Sequence, residues 1–486
     1  MSRVSQVGGF SRRTILKTLG MAAMGAAAAP IVAACGAAGP AASGGASKPA
    51  EAPPATPAAA TTTSAAAGKP AAQGSAAELR LHVRTGNEAD TLADRLPEFE
   101  ARVSGAKVKI ESFPAAEYFA KIQTLTAGGQ LGDVLWGIVH QGWGPYFLAS
   151  GVTLALDALI EGDKFDLNQY YPVAVQATRA FENKILGLPF KLQPFAIGLY
   201  YNATAFDEEK VQPPTLNTTQ AELVEIARKM QKNDASGRPT RFGFLPALIG
   251  TAYESLVTVV RPFGGDVMSA DGTKAVLNSP AAVAGMKWIY DMVFQDKVAP
   301  TIQQLGGDPA SPLDSMFVAD TGAMFQSGSS AKSLPTRVKD KFVVKDTLMP
   351  MGPGNNRGSM AGVDVIMINK QTKFQKESWE LTKLLCDKET GIRLGEGRGG
   401  ASGTCGARPD SFNDARLMVN PLHQVWIKAA EDAGPLYVPA NFRGGEIDTL
   451  IKQKLGGLYN GDEKFEQKFF DDLNAGVQQI LDKPKT

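Results

Sequence analysis

Two tryptophans in a short polar segment are well suited to hold a ligand by stacking. Trp136 and Trp143 flank Val139, His140 and Gln141. An indole face packs well on the apolar face of a sugar ring, and the neighbouring polar side chains can bond its hydroxyl groups. Trp143 stands between two glycines, which favours exposure, whereas Trp136 ends an apolar run and fits the core equally well.

Residues that would carry catalysis are weakly represented. The three histidines are far apart in the sequence, no CxxC pair exists, and there is neither a G-x-S-x-G nucleophile motif nor a Walker A loop. The glycines between Gly395 and Gly400 follow a predicted helix, whereas a dinucleotide-binding loop follows a strand. We therefore expect no enzyme activity, no metal site and no cofactor, with an exported α/β enzyme as the alternative.

The composition excludes further classes of protein. The chain has 486 residues, enough for two or three domains, and 50 Lys+Arg against 49 Asp+Glu give a net charge of +1. That balance argues against a nucleic-acid partner. Three cysteines in this length argue against a disulfide scaffold. A disulfide between Cys386 and Cys405 and two separate buried thiols remain open alternatives.

The first 34 residues have the pattern of an export signal. A basic segment precedes a short apolar stretch, and the run from Ser11 to Lys17 looks like a twin-arginine motif. Val32-Ala33-Ala34-Cys35 resembles a bacterial lipobox, in which a peptidase cuts before the cysteine and the thiol receives diacylglycerol. Cys35 is therefore predicted to be lipidated and to anchor an exported protein to the outer face of the cell membrane.

The segment 35–77 is predicted to be a disordered tether. Beyond Cys35 it consists almost entirely of Ala, Gly, Pro, Ser and Thr and contains no large hydrophobic residue. Such a segment cannot bury enough apolar surface to offset the entropy of ordering it. The globular part is expected to start at residue 78.

The globular part has the pattern of alternating strands and helices. Apolar patterning predicts strands at 79–83, 108–110 and 133–136, with helices over 90–102 and 115–127 between them. This alternation indicates a parallel sheet covered by helices. A capping box at Thr219 and Glu222 and an N-cap at Ser279 before Pro280 predict two later helix starts.

Short motifs follow one another in a fixed order over roughly residues 79 to 480. Together they resemble the extracellular solute-binding proteins of family 1, the sugar-type substrate-binding lipoproteins of ABC transporters. The motifs include Asp133-Val134-Leu135-Trp136, Gly187-Leu188-Pro189-Phe190, Leu199-Tyr200-Tyr201-Asn202, Phe263-Gly264-Gly265, the run from Phe317 to Met324, and Ala361-Gly362-Val363-Asp364.

The resemblance implies an α/β, two-lobed, periplasmic-binding-protein-like fold with a ligand cleft between the lobes. One lobe is expected to contain 78–191 and 328–368, and the other 195–325 and 374–486. The hinge crossings are expected near 191–195, 326–330 and 368–373. Ligands of open α/β sheets sit at the carboxyl ends of the strands, and closure of the lobes would bury the ligand.

Loops at these strand ends supply the site candidates that the resemblance implies. Several have a structural alternative, namely a solvated turn at 87–88, a helix surface at 253–254, a cap at Asp364 and a plain surface position at Arg443. The candidates are Asn87, Glu88, Trp136, His140, Gln141, Trp143, Tyr253, Glu254, Gly328, Ser329, Ser330, Asp364, Phe442 and Arg443.

The resemblance also implies a function and partners. The protein is expected to be a monomer that captures a solute outside the membrane and delivers it to the transmembrane subunits of an ABC permease. A neutral carbohydrate is the expected solute, because the cleft loops show no cluster of Lys or Arg. Ser329 and Ser330 stand where sugar-binding relatives often carry an aromatic residue, so a short ligand or a non-sugar solute is the alternative.

Overall fold

Two five-stranded sheets organise the molecule. The computed structural model describes residues 77–139, 144, 146–147, 150–180, 182–247, 253–305, 313–398 and 403–485, with the backbone alone for 253–254. The strands in chain order are β1 (Ala77–Arg84), β2 (Ala106–Phe113), β3 (Val134–Ile138), β4 (Leu188–Pro194), β5 (Gly198–Asn202), β6 (Lys232–Asn233), β7 (Pro239–Leu245), β8 (Gly322–Ser327), β9 (Val344–Leu348) and β10 (Ala361–Ile368).

The first sheet has the order β2-β1-β3-β10-β4. β1 pairs in parallel with β2 and with β3, as the strand–helix alternation predicts. β10 is inserted antiparallel between β3 and β4. All eight residues of β10 are buried, because a strand pairs with it on each side and the helices Pro172–Thr178 and Gln375–Leu385 pack on it.

The second sheet has the order β6-β7-β8-β5-β9. β7 and β8 are parallel, while β5 lies antiparallel between β8 and β9. All five residues of β5 are buried, which its apolar and aromatic sequence requires.

Helices cover the sheets and connect their strands. In chain order they are α1 (Asn87–Arg102), α2 (Tyr118–Ala127), α3 (Asp157–Gly162), α4 (Pro172–Thr178), α5 (Ala203–Glu209), α6 (Gln220–Met230), α7 (Tyr253–Val260), α8 (Pro280–Phe294), α9 (Leu313–Val318), α10 (Leu334–Val338), α11 (Gln375–Leu385), α12 (Lys388–Glu396), α13 (Pro409–Phe412), α14 (Gln424–Glu431), α15 (Gly444–Asn460) and α16 (Gln467–Leu481).

The predicted helix starts at Thr219 and Ser279 are confirmed. Thr219 and Glu222 form a capping box before α6, and the Ser279 side chain accepts a hydrogen bond from the backbone at Ala282 before α8. The start of α1 was predicted three residues too late. Gly86, at φ 115, turns the chain sharply enough for the helix to begin at Asn87, directly after β1.

The lobe boundaries differ from the predicted ones in two places. β9 belongs to the second sheet, not to the lobe of 328–368, and the chain reaches the first sheet only between β9 and β10, in 349–360. After β8 the chain stays beside α9, so it does not cross near 326–330. α11 and α12 pack on the first sheet and on α1, so the chain does not cross at 368–373 either.

The two thiols in the described part of the chain are separate and buried. Cys386 Sγ lies 3.7 Å from the carbonyl oxygen of Leu188, whereas Cys405 Sγ lies 4.0 Å from Nδ1 of His423. Of the two alternatives that the sequence leaves open, the structure therefore contains the pair of free thiols.

Among the residues that the structure describes, no helix combines the length and the apolar character needed to cross a bilayer.

Candidate functional site

The carboxyl ends of β4 and β8 meet at a cavity of about 530 Å³. β4 belongs to the first sheet and β8 to the second, so the cavity lies where the two lobes are joined. Its lining includes the crossing from Gln193 to Ala196 and the loop from Phe325 to Ser330. Ligands of open α/β sheets bind at such strand ends, which makes this cavity the candidate site.

A buried ion pair lies beside this cavity, at the edge of the first sheet. Asp364 in β10 is fully buried, and its Oδ2 lies 2.8 Å from Nζ of Lys191 in β4. The same oxygen accepts a hydrogen bond from Trp136 Nε1 at 3.1 Å, and Oδ1 accepts one from Gln193 Nε2 at 2.8 Å. A buried carboxylate needs such partners to stay ionised.

Glu88, in the first turn of α1, extends the pair into a network. Its Oε1 lies 2.5 Å from Lys191 Nζ and 2.5 Å from Arg84 Nη2. Burial of Glu88 opposes its ionisation, but the charges of Lys191 and Arg84 outweigh that effect and lower its pKa to about 2. The network therefore contains two cations and two carboxylates, and its net charge is zero.

Trp136 is held within the core of the first lobe. Its ring is 1% exposed and packs edge-on against Tyr118, with Phe119 beside it. The Arg84 guanidinium carbon lies 4.5 Å from the centre of the indole ring. The core alternative for Trp136 is therefore the observed one, and the indole Nε1 positions the Asp364 carboxylate.

The loop after β8 forms the wall of the cavity in the second lobe. Gly328, Ser329 and Ser330 all line the cavity. Gly328 accepts a hydrogen bond from the Tyr200 hydroxyl at 3.1 Å, and Ser329 Oγ lies 3.1 Å from Thr404 Oγ1. Three predicted site residues thus lie together here, and two of them are fixed by contacts from other elements.

A buried lysine–histidine pair anchors the same loop from behind. Lys332 is 2% exposed, and its Nζ lies 3.1 Å from Nδ1 of His423. The other ring nitrogen of His423 lies 2.8 Å from the Phe412 carbonyl, which can only accept, so Nε2 carries the proton. Burial and the charge of Lys332 lower the pKa of His423 to about 4.

Other predicted residues lie elsewhere. Asn87 donates its side-chain amide to the Leu394 carbonyl at 3.1 Å and so ties α1 to α12. Phe442 and Arg443 do not line the cavity: Arg443 Nε donates to the Pro484 carbonyl, and Lys485 Nζ lies 4.3 Å from the Phe442 ring centre. The predictions for His140, Gln141, Trp143 and the side chains of Tyr253 and Glu254 lie outside the described residues.

Sequence reasoning missed Arg84, Lys191, Gln193 and Phe195, all of which lie in the network or line the cavity. One signal was available for Lys191. It is a lone cation in the apolar strand β4, just as Asp364 is a lone acid in the apolar strand β10. Two single opposite charges in buried strands of one sheet indicate a buried pair, because either alone would be very costly.

No group of three or more potential metal ligands occurs within the described ranges. The arrangement offers hydrogen-bond donors and acceptors, an aromatic side chain and a partly open cavity, which are the requirements for holding a small polar molecule.

Comparison with known families decides the class of the protein. A sequence model described as bacterial extracellular solute-binding protein matches residues 85–391, more than half of the chain. The chain belongs to this family. Binding proteins of Brucella abortus and Brucella suis are similar, each 23% identical over 309 residues, which cover 62% of this solute-binding protein and 69% of the relative.

Solved structures of similar fold include sugar complexes. An ABC substrate-binding protein from Listeria monocytogenes in complex with cycloalternan has a TM-score of 0.69 at 18% identity, covering 83% of this chain and 99% of its own. The GacH receptor of Streptomyces glaucescens, solved with acarbose, scores 0.67 at 19% identity, covering 84% and 100%. The maltose/maltodextrin-binding domain from Bdellovibrio bacteriovorus, bound to maltotriose, scores 0.63 at 18%, covering 84% and 100%. The two-lobed fold predicted from the sequence is confirmed.

The buried network yields a stability prediction. Lys191→Met should lower the free energy of unfolding at pH 7 by about 3 kcal/mol, because it leaves buried carboxylates without their shared cation. Lys107→Met is the matched control, since Lys107 is 69% exposed and pairs with Glu100 at the surface, so a loss below about 1 kcal/mol is expected. Urea denaturation measures both. Similar losses in the two variants would contradict the importance of the buried pair.

A second prediction concerns pH. In the folded protein the pKa of His423 is about 4, below the ordinary 6.5, so the unfolded chain binds the proton first and stability falls as pH drops from 6.5 to 4. In the variant His423→Asn, the amide oxygen can still accept a hydrogen bond from Lys332, but the side chain does not titrate. Between pH 7 and pH 5 the wild type should therefore lose about 2 kcal/mol more than His423→Asn. Urea denaturation at both pH values is the measurement, and parallel losses would show that His423 does not contribute.

Proposed function

We propose that this protein captures a carbohydrate outside the membrane, between its two lobes, and delivers it to an ABC permease. The observation that carries the proposal is the position of the cavity, which lies at the chain crossing and is lined by residues from both sheets. Family membership supports solute binding, and the sugar-bound relatives of similar fold favour a carbohydrate. The proposal needs no catalytic step.

The charges near the cavity favour a neutral solute. The cations Arg84 and Lys191 are balanced by Glu88 and Asp364, so the first lobe offers no excess positive charge to an anion. A hydroxyl group can donate to a carboxylate and accept from a guanidinium, so a sugar can use Asp314 and Arg337, the paired charges that line the cavity. The serine hydroxyls at 327, 329 and 330 add further partners in the second lobe.

The terminal segment supports the cellular part of the proposal. A twin-arginine motif, a lipobox and the tether at 35–77 would export the protein and hold it at the outer face of the membrane. One tethered molecule is sufficient for the interaction with the permease, so no oligomer is required. Stacking by Trp143 stays a prediction of the sequence.

A ligand screen tests the carbohydrate assignment. Maltose, maltotriose, α-D-tagatose and acarbose should each be compared with inorganic phosphate and with a neutral dipeptide. A sugar present at 100 times its Kd should raise the free energy of unfolding by about 2.7 kcal/mol. Thermal unfolding measures the effect. Stabilisation by phosphate or the dipeptide, with none by any sugar, would overturn the assignment.

The anchor has its own test. Cys35→Ser removes the thiol that would receive the lipid, so the protein should either remain unprocessed or leave the membrane fraction. Cys386→Ser is the control, because that thiol is buried in the folded domain and should leave processing unchanged. Fractionation and mass spectrometry of the mature chain report the outcome. Unchanged membrane retention of a fully processed Cys35→Ser protein would refute lipidation.

A further inference from the structure

The cavity contains two aromatic side chains from the described residues, and they differ in how they are packed. Phe325, in β8, is 4% exposed. Its ring centre lies 5.8 Å from that of Phe317 and 6.5 Å from that of Tyr200. Phe325 is therefore engaged by the core of the second lobe and offers little surface to a ligand.

Phe195 is the other aromatic residue; it packs against the edge of the core but is only partly buried. Among the described residues its ring has no aromatic neighbour in stacking contact. An aromatic ring that lines a cavity and has no ring partner can be covered by a bound molecule. This residue was not among the candidates that the sequence suggested.

The backbone on both sides of Phe195 is fixed. Its N–H donates to the Met360 carbonyl at 2.9 Å. The next residue, Ala196, has φ 42, and its carbonyl accepts a hydrogen bond from Gln326 Nε2 at 2.8 Å. A ring on a backbone held in this way loses little further freedom when a ligand packs on it, which favours binding.

Polar residues line the same cavity as Phe195. Gln193 lies two residues earlier in the chain, and the serines of the loop after β8 also line the cavity. A pyranose needs this combination, because its ring carries an apolar face of C–H groups and an equatorial rim of hydroxyls. Trp136, which the sequence suggested together with Trp143 as a stacking residue, is buried and cannot stack on a ligand.

We propose that Phe195 is the stacking surface for the ring of the solute and that it selects cyclic sugars with an apolar face. The inference rests on the proposed carbohydrate-binding function. It assigns the specificity for the sugar to the crossing segment between β4 and β5 rather than to either sheet. Because the crossing belongs to both lobes, this contact forms without waiting for the lobes to close. The ring thus makes the first contact with the solute, and the polar side chains of the lobes follow.

Three substitutions separate stacking from space filling. Phe195→Leu keeps an apolar side chain but removes the aromatic face, and it should weaken binding by about three- to tenfold. Phe195→Tyr keeps the ring and should stay within about twofold of the wild type. Phe374→Leu is the matched control, since Phe374 is also partly buried but lies at the start of α11, outside the cavity.

Isothermal calorimetry with maltose, maltotriose, α-D-tagatose and acarbose is the measurement, with thermal unfolding of each variant as the check on folding. The expected result is a loss of affinity in Phe195→Leu alone. Unchanged affinity in Phe195→Leu would overturn the assignment of Phe195 and leave the proposed function standing. An equal loss of affinity in Phe195→Tyr or in Phe374→Leu would do the same. A folded wild type that binds none of these sugars overturns both the assignment and the carbohydrate proposal.

Discussion

The buried ion pair between Lys191 and Asp364 fixes the cavity edge of the first lobe. A carboxylate in the middle of a fully buried strand is tolerable only with a cation and good hydrogen-bond donors beside it. Lys191 from β4, Trp136 from β3 and Gln193 near the crossing all meet Asp364 in β10. The pair therefore couples three adjacent strands and sets where the crossing leaves the sheet.

The opposite wall depends on a different arrangement. The loop after β8 is held by two contacts: its Lys332 binds His423, and its Gly328 carbonyl accepts a hydrogen bond from the Tyr200 hydroxyl. That hydroxyl in turn accepts a hydrogen bond from Trp426 Nε1 at 3.1 Å. His423 and Trp426 both lie at the start of α14, which packs against strands of both sheets. One short helix thus fixes the cavity wall that belongs to the second lobe.

Local chemistry made part of this structure predictable. The capping residues Thr219 and Ser279 define helix starts through contacts within three residues, so the sequence alone was sufficient. The motif order predicted the two-lobed fold. The lone charges in two apolar strands signalled that Lys191 and Asp364 each need a partner, but their pairing with each other depends on β10 entering between β3 and β4, which no local pattern encodes. For the same reason β9 was assigned to the wrong lobe.

The position of β10 also governs the order in which the protein can fold. This strand lies inside the first sheet, between β3 and the edge strand β4, yet it is synthesised after every strand of the second sheet. A nascent chain therefore leaves the facing edges of β3 and β4 unpaired until residue 368 has emerged. The first sheet is therefore completed only after every strand of the second sheet has been made.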